Sequence, residues 1–273
     1  MKVALGQLQL CWEDKEANLR VVEAYLERLS ELGTELFLLP EMSLTGFSMQ
    51  TEKTKESSGE TVDRARRLAE KYQTALGVGW VKDCGALCEN HYSIVTPEGE
   101  LLDAVKLHPF RFGREHEYFQ GGEHLSVCEY RGFRIGVQIC YDLRFPEPFQ
   151  ALSKYADLIL VPSNWPASRR SHFKCLLKAR AIENMVYLAG INCAGEIGEQ
   201  FYSGDSRIYA PDGTKLKKEI VCLPGRCIKE QVQVYELQND IHKYRECFPV
   251  RKDRREALYQ KLQEEIQDYE RKE

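Results

Sequence analysis

A chain of 273 residues with 43% hydrophobic side chains is long enough for one large α/β core and ordinary for a globular protein. With 38 basic against 42 acidic residues, the net charge of −4 gives no bias toward DNA or RNA. No apolar run approaches the roughly 20 residues of a membrane helix, and no basic patch precedes an apolar stretch at the N-terminus, which points to a soluble, cytoplasmic protein.

Val3–Leu10 alternates as a strand. Asp14 then opens a helix with Leu19, Val22, Leu26 and Leu29 on one face, and Gly33 closes it. Leu36–Leu39 is a short continuous apolar run, the pattern of a strand covered on both faces. Thr61–Tyr72 reads as a helix, Ala75–Val81 and His91–Val95 as strands, and Thr96-Pro97-Glu98-Gly99 as a turn into Leu101–Val105. Phe133–Ile139 is another buried strand, and Pro146–Lys154 a helix with proline in its first turn. Leu158–Val161 is a strand, Arg169–Asn184 a helix presenting Phe173, Leu176, Leu177 and Ala181, and Val186–Ile191 a strand again. Ser206–Tyr209 and the turn Pro211-Asp212-Gly213 lead into a strand-rich stretch ending near Val234, and a charged helical tail starts at about Arg254. The run Arg251-Lys252-Asp253-Arg254-Arg255 is broken by an acid and reads as a solvated face. Without repeats or linkers, residues 1–273 read as one domain, and the alternation of strands and helices with hairpin-type turns predicts α/β layers with mixed sheets.

Ten cysteines are present, two pairs of them close in sequence: Cys84/Cys88 and Cys222/Cys227. Neither pair is a C-x-x-C, and no histidine pair follows at zinc spacing, so no metal site is expected. Free thiols in a reducing compartment are the expectation, with Cys128 and Cys193 in apolar runs acting as small hydrophobes.

Three reactive side chains directly follow apolar strands. Leu36-Phe37-Leu38-Leu39-Pro40 delivers Glu41, Leu101-Leu102-Asp103-Ala104-Val105 delivers Lys106, and Ile135-Gly136-Val137-Gln138-Ile139 delivers Cys140. Ligands gather at the carboxyl ends of strands in α/β sheets, so a carboxylate, an ammonium and a thiol at three such ends can share a pocket. Singly, each has a plainer reading: a surface acid, an exposed lysine, a core cysteine. A thiol near pKa 8.5 is mostly protonated at pH 7, and burial keeps it so, hence a nearby base must take its proton during attack.

Taken together, Leu39-Pro40-Glu41-Met42, Val105-Lys106-Leu107-His108 and Ile139-Cys140-Tyr141-Asp142-Leu143-Arg144-Phe145-Pro146-Glu147 resemble, in order, the three signature regions of the nitrilase superfamily of carbon–nitrogen hydrolases. Gly121-Gly122-Glu123, Val161-Pro162-Ser163-Asn164-Trp165, Ala179-Arg180-Ala181-Ile182-Glu183-Asn184 and Gly204-Asp205-Ser206 are similar to further family segments, so the resemblance covers about residues 2 to 260. The Arg180–Asn184 stretch is expected to pair internally as a structural element. The resemblance implies a four-layer α-β-β-α sandwich with two mixed sheets, a homodimer, and chemistry without metal or organic cofactor. It makes Cys140 the nucleophile, Glu41 the base and Lys106 an oxyanion donor beside the backbone N–H of Tyr141. A second glutamate, seven residues before the glycine closing Phe119-Gln120-Gly121-Gly122, maps to Glu115, with Glu117 as its rival.

Thr45-Gly46-Phe47-Ser48-Met49 and Cys140–Glu147 are most similar to the omega-amidase branch, which implies small dicarboxylic monoamides such as 2-oxoglutaramate or 2-oxosuccinamate. Such a substrate carries a carboxylate, and Arg144 is the candidate cation, unless it is spent on Glu147 or Asp142. Phe47 and Trp165 are candidate pocket walls. Rival readings are an N-carbamoyl amino acid hydrolase or a nitrilase using the same residues, a Cys–His hydrolase drawing on His108 or His172, and a catalytically inactive small-molecule-binding protein.

Overall fold

The computed structural model describes residues 1–226 and 228–270, so Cys227 of the close pair Cys222/Cys227 lies outside the described residues. Its helices are α1 Lys15–Glu31, α2 Thr51–Thr54, α3 Glu60–Tyr72, α4 Pro146–Leu152, α5 Arg170–Asn184, α6 Ile241–Cys247 and α7 Glu256–Glu270. No helix among the described residues is long and apolar enough to cross a membrane.

The larger sheet has nine strands. Its centre is Lys2–Gln7, Leu36–Leu38 and Ala75–Asp83, all parallel, with Val3 opposite Leu36 and Leu36 opposite Ala75. Antiparallel strands extend it on both sides: Gln231–Glu236 beside Lys2–Gln7, and Cys88–Thr96 beside Ala75–Asp83. The second sheet has five strands, with Phe133–Val137, Leu158–Ser163 and Tyr187–Asn192 parallel in the middle and antiparallel strands at both edges.

Side-chain parity sets the layers, because successive residues of a strand face opposite sides. Val3, Leu5, Leu36 and Leu38 pack with Ile135, Val137, Leu158 and Leu160 of the second sheet. Their neighbours Ala4 and Phe37 face the other way, onto Val22 and Leu26 of α1 and Ala65 and Ala69 of α3. On the far side of the second sheet, Gly136 and Gly190 admit Leu152 of α4 and Leu177 of α5; a Cβ at residue 190 would lie 2.4 Å from Leu177 Cδ1. The result is the expected order of helices, sheet, sheet, helices.

Several element readings are corrected at their edges. The first strand stops at Gln7, and α1 buries Asn18 and Tyr25 as well as Val22, Leu26 and Leu29, while Leu19 is only half-buried. Asn18 turns inward because its side chain satisfies three loop groups, Cys11 N, Cys11 O and Leu44 O, each at 2.7 Å. Asp14 caps α1 by accepting from Ala17 N at 2.9 Å. Helix α5 starts at Arg170, after a short 3-10 turn Ala167–Arg169, and α6 and the hairpin Ala194–Ile197/Gln200–Ser203 had no clear sequence signal. The basic run is not wholly a solvated face: Arg254 donates to Glu183 O and Asn184 Oδ1, both at 2.8 Å, fastening the C-terminal end of α5.

Candidate active site

Glu41 sits just past the strand Leu36–Leu38, in a turn where Met42 takes φ +45°. This turn closes onto Gly79 of the neighbouring strand, where a Cβ would lie 2.4 Å from Met42 N. Ser43 seals the contact from both directions: its N–H donates to Gly79 O at 3.0 Å, and its Oγ accepts from Gly79 N at 2.7 Å. Lys106 leaves the strand Gly99–Val105, and its backbone is held between Asn90 O and Gly122 N, at 2.8 and 2.9 Å. A Cβ at Gly121 would lie 2.3 Å from Leu107 O, which gives the Gly121-Gly122 pair a spatial reason.

Cys140 begins a 3-10 turn, Cys140–Arg144, at the end of the second sheet's strand Phe133–Val137. Its φ of +47° is left-handed, a conformation that costs a non-glycine residue about 1–3 kcal/mol and recurs at functional turns. Asp142 holds that turn. Its carboxylate accepts from Ile139 N at 3.0 Å, Leu107 N at 3.2 Å and His108 N at 2.9 Å, so it ties the cysteine turn to the lysine strand. Arg180 braces the turn's other end, donating to Leu143 O and Arg144 O, both at 3.1 Å, and to Glu183 at 2.9 Å.

These segments meet in one buried cluster. Glu41 and Glu115 are fully buried, Lys106 is 1% exposed and Cys140 8%. The Lys106 ammonium donates to Glu41 Oε1 at 2.8 Å and to both Glu115 oxygens at 3.0 and 2.9 Å. Glu115 is anchored by Phe110 N at 2.5 Å. Glu117, by contrast, is an exposed acid paired with Arg114 at 2.8 and 2.7 Å, outside the cluster.

Burial opposes the charge on Lys106, but Glu115 and Glu41 outweigh it and hold the ammonium above its usual range. Burial pushes the Glu115 carboxyl up; Lys106 pulls it down and Glu41 pushes it up again. Burial, then the Glu41 charge, raises the Cys140 thiol well above its ordinary value, against the pull of Lys106 and a backbone hydrogen bond from Asn164. The thiol is therefore protonated at neutral pH and sits beside an acceptor for its proton.

Sequence reasoning did not single out the amides that organise these acids. Asn90 Nδ2 donates to Glu41 Oε1 at 2.9 Å and to Glu115 Oε1 at 3.4 Å. The Asn164 backbone N–H donates to Glu41 Oε2 at 3.0 Å, and its side chain to Glu41 O at 2.6 Å. Cys193, expected as a small hydrophobe, is buried but also directs its thiol at Asn164 Oδ1, 3.0 Å away. Asn164 stood in a recognised segment, so its position carried a signal; Asn90 carried none beyond its proximity to His91.

Above the cluster opens a cavity of about 240 Å³ lined by Lys106, Cys140 and Asn164, with Phe47, Tyr141 and Trp165 among its walls. Phe47 lies 5.0 Å from the Lys106 ammonium, ring centroid to nitrogen. Arg144 also lines the cavity, its guanidinium 4.8 Å over the Trp165 ring. Among the described residues neither Glu147 nor Asp142 forms an ion pair with it; Asp142 is occupied by backbone donors and His108. His108 is bonded to Asp142 at 2.8 Å and stacked on Phe145, and His172 faces Arg144 at 3.4 Å. Both histidines are thus committed elsewhere, and the charged groups acting on the Cys140 thiol are Glu41 and Lys106.

A strand-end thiol beside a buried carboxylate–ammonium pair, on a double-sheet α/β sandwich, defines a class of thiol hydrolases. Residues 2–224 match the family model described as carbon-nitrogen hydrolase, and the chain belongs to that family, whose members are hydrolases acting on carbon–nitrogen bonds other than peptide bonds. It is 34% identical to the omega-amidase YafV of Escherichia coli (strain K12) over 254 residues, covering 93% of this chain and 96% of that one. It is 28% identical to the 2-oxoglutaramate amidase of Bacillus subtilis (strain 168) over 264 residues, covering 93% and 97%. Among solved structures, a CN-hydrolase superfamily protein from Xanthomonas campestris with an arsenic adduct in its active site superposes with a TM-score of 0.83 at 30% identity, covering 93% of this chain and 97% of that one. An amidase from Nesterenkonia sp. AN1, with acrylamide added to its active-site cysteine, gives 0.81 at 27% identity over 96% and 99%.

Proposed function

We propose that this chain is a thiol-dependent amidohydrolase that releases ammonia from a small carboxylate-bearing amide, in the manner of an omega-amidase. The observation that carries the reading is the shared placement of Cys140, Lys106 and Arg144 around one cavity, Arg144 having no acid partner among the described residues and Glu41 lying directly behind the thiol. The names of the Escherichia coli and Bacillus subtilis relatives support the same substrate class.

Glu41 accepts the Cys140 proton as the sulfur attacks the amide carbon. The oxyanion that forms is met by the Lys106 ammonium and the Tyr141 N–H, a backbone donor in the first turn of Cys140–Arg144. Collapse breaks the carbon–nitrogen bond; Glu41 returns the proton to the leaving nitrogen, and ammonia departs from a thioester. Water then attacks the thioester while Glu41 takes its proton, the oxyanion is held as before, and collapse frees the carboxylic acid and the thiol. Glu115 touches Lys106 and keeps it charged and oriented. Arg144 meets the substrate carboxylate, with Phe47 and Trp165 enclosing the chain between the two ends.

The same reading takes the enzyme to be cytoplasmic and a homodimer. Nine described cysteines, all free, suit a reducing compartment, and Phe248 at 62% and Tyr259 at 47% exposure give the C-terminal segment apolar surface for a second copy. The test is ammonia release across a panel of 2-oxoglutaramate, deaminated glutathione, an N-carbamoyl amino acid and a nitrile. Turnover of the monoamide, lost in a folded Cys140→Ala, is expected; turnover of the nitrile or the carbamoyl compound instead, or retained activity without the thiol, counts against it.

A further inference from the structure

The cavity wall holds a second guanidinium that the amide reading leaves without a task. Arg169 closes the 3-10 turn Ala167–Arg169 and lines the cavity with Arg144. Its guanidinium lies 5.4 Å over the Phe110 ring, whose centroid is 4.8 Å from that of Tyr141, the ring Arg144 also overlies. Trp165 touches both residues: its face carries the Arg144 guanidinium, and its indole N–H donates to the Arg169 backbone O at 2.8 Å. Neighbouring Arg170 shows what an ordinary surface arginine does here, since Asp205 binds it with two hydrogen bonds of 3.0 and 2.9 Å. Arg169 forms no such pair among the described residues, and no aspartate or glutamate lines the cavity.

We infer that Arg169 is a specificity-determining residue: with Arg144 it forms a two-cation clamp for an amide whose far end carries a carboxylate and an adjacent oxo group, and it rejects the corresponding α-amino acid amide. The inference rests on the amidase reading above. Two guanidiniums with no acid between them attract a carboxylate and donate to a carbonyl oxygen. An α-ammonium in the same place meets like charge without a counter-ion, so discrimination comes from repulsion as much as attraction.

The test compares ammonia release from three four-carbon amides, 2-oxosuccinamate, succinamate and asparagine, in the wild type and in Arg169→Met, Arg169→Gln, Arg169→Lys and Arg170→Met. The neutral Arg169 variants should raise KM for 2-oxosuccinamate and lower the oxo-to-amino ratio of kcat/KM by about tenfold or more. Arg169→Lys should retain most of that ratio through its charge, and Arg170→Met should leave it unchanged. A ratio preserved within about twofold in folded Met or Gln variants overturns the inference, as does an equal fall in kcat on all three substrates, the signature of a structural role. If the wild type hydrolyses none of the three, the amidase reading fails first and takes the clamp with it.

Discussion

Lys106 is a buried ammonium whose charge is balanced by two buried carboxylates, and that balance makes it both a catalytic candidate and a structural necessity. Removing one partner of a buried ionic group strands the others, typically at about 3–5 kcal/mol. Lys106→Met should therefore lose stability of that order in urea titrations and lower kcat by about 10²–10³, the usual effect of losing one oxyanion donor. The double variant Lys106→Met/Glu115→Gln should recover part of the stability but none of the rate. If the single change leaves stability intact, the acids are not ionised against the lysine as described. Cys140 yields a pH prediction. Its folded-state value is raised, so the thiol's contribution to stability is full below the ordinary thiol value and declines as pH climbs from there through the raised one. Iodoacetamide inactivation should accordingly keep accelerating with pH past the ordinary thiol value instead of levelling there. Glu41, Lys106 and Cys140 were legible in sequence because each follows a mainly apolar, strand-like run and stands in a short contiguous motif. The roles of Asn90 and Asn164 were not, although Asn164 stood in a recognised segment, because an amide reveals its role only through partners that here lie 49 and 123 residues away along the chain.

At the scale of elements, the 3-10 turn Cys140–Arg144 depends on Asp142 for its shape. Sequence reasoning offered Asp142 as an ion-pair partner for Arg144; it is instead the acceptor for three backbone donors from two segments. Asp142→Ala leaves those donors without a charged acceptor, an expected loss of about 1–3 kcal/mol, and lets the cysteine turn drift from the lysine strand. Thermal unfolding together with kcat measures both consequences; an unchanged kcat in a destabilised protein would show that the turn holds its geometry without this tie. Helix α5 was readable from the 3.6-residue spacing of Phe173, Leu177 and Ala181, whereas its first residue was misplaced by one because Arg169 belongs to the preceding turn. Periodicity reports the buried face of a helix and is silent about how the chain enters it.

For the whole molecule, the two sheets face each other through strands that are apolar on both sides, while Phe248, Tyr259 and Leu262 leave exposed apolar side chains on the C-terminal segment. If α6, α7 and the segment between them pair with a second copy, Phe248→Ser combined with Tyr259→Ser should shift sedimentation from dimer to monomer; a wild type that already sediments as a monomer would remove the dimer from the proposed function. The chain alone determined the strand and helix order, the layered architecture and the three strand-end reactive residues, because these follow from local periodicity and from short motifs contiguous in sequence. Tertiary structure decided which glutamate joins the cluster, that Arg144 stays free of Asp142 and Glu147, that the histidines are engaged elsewhere, and that Arg169 and not Arg170 faces the cavity. Each of these depends on which distant segments the fold brings within a few ångströms, and neither charge nor hydropathy along the chain encodes that distance.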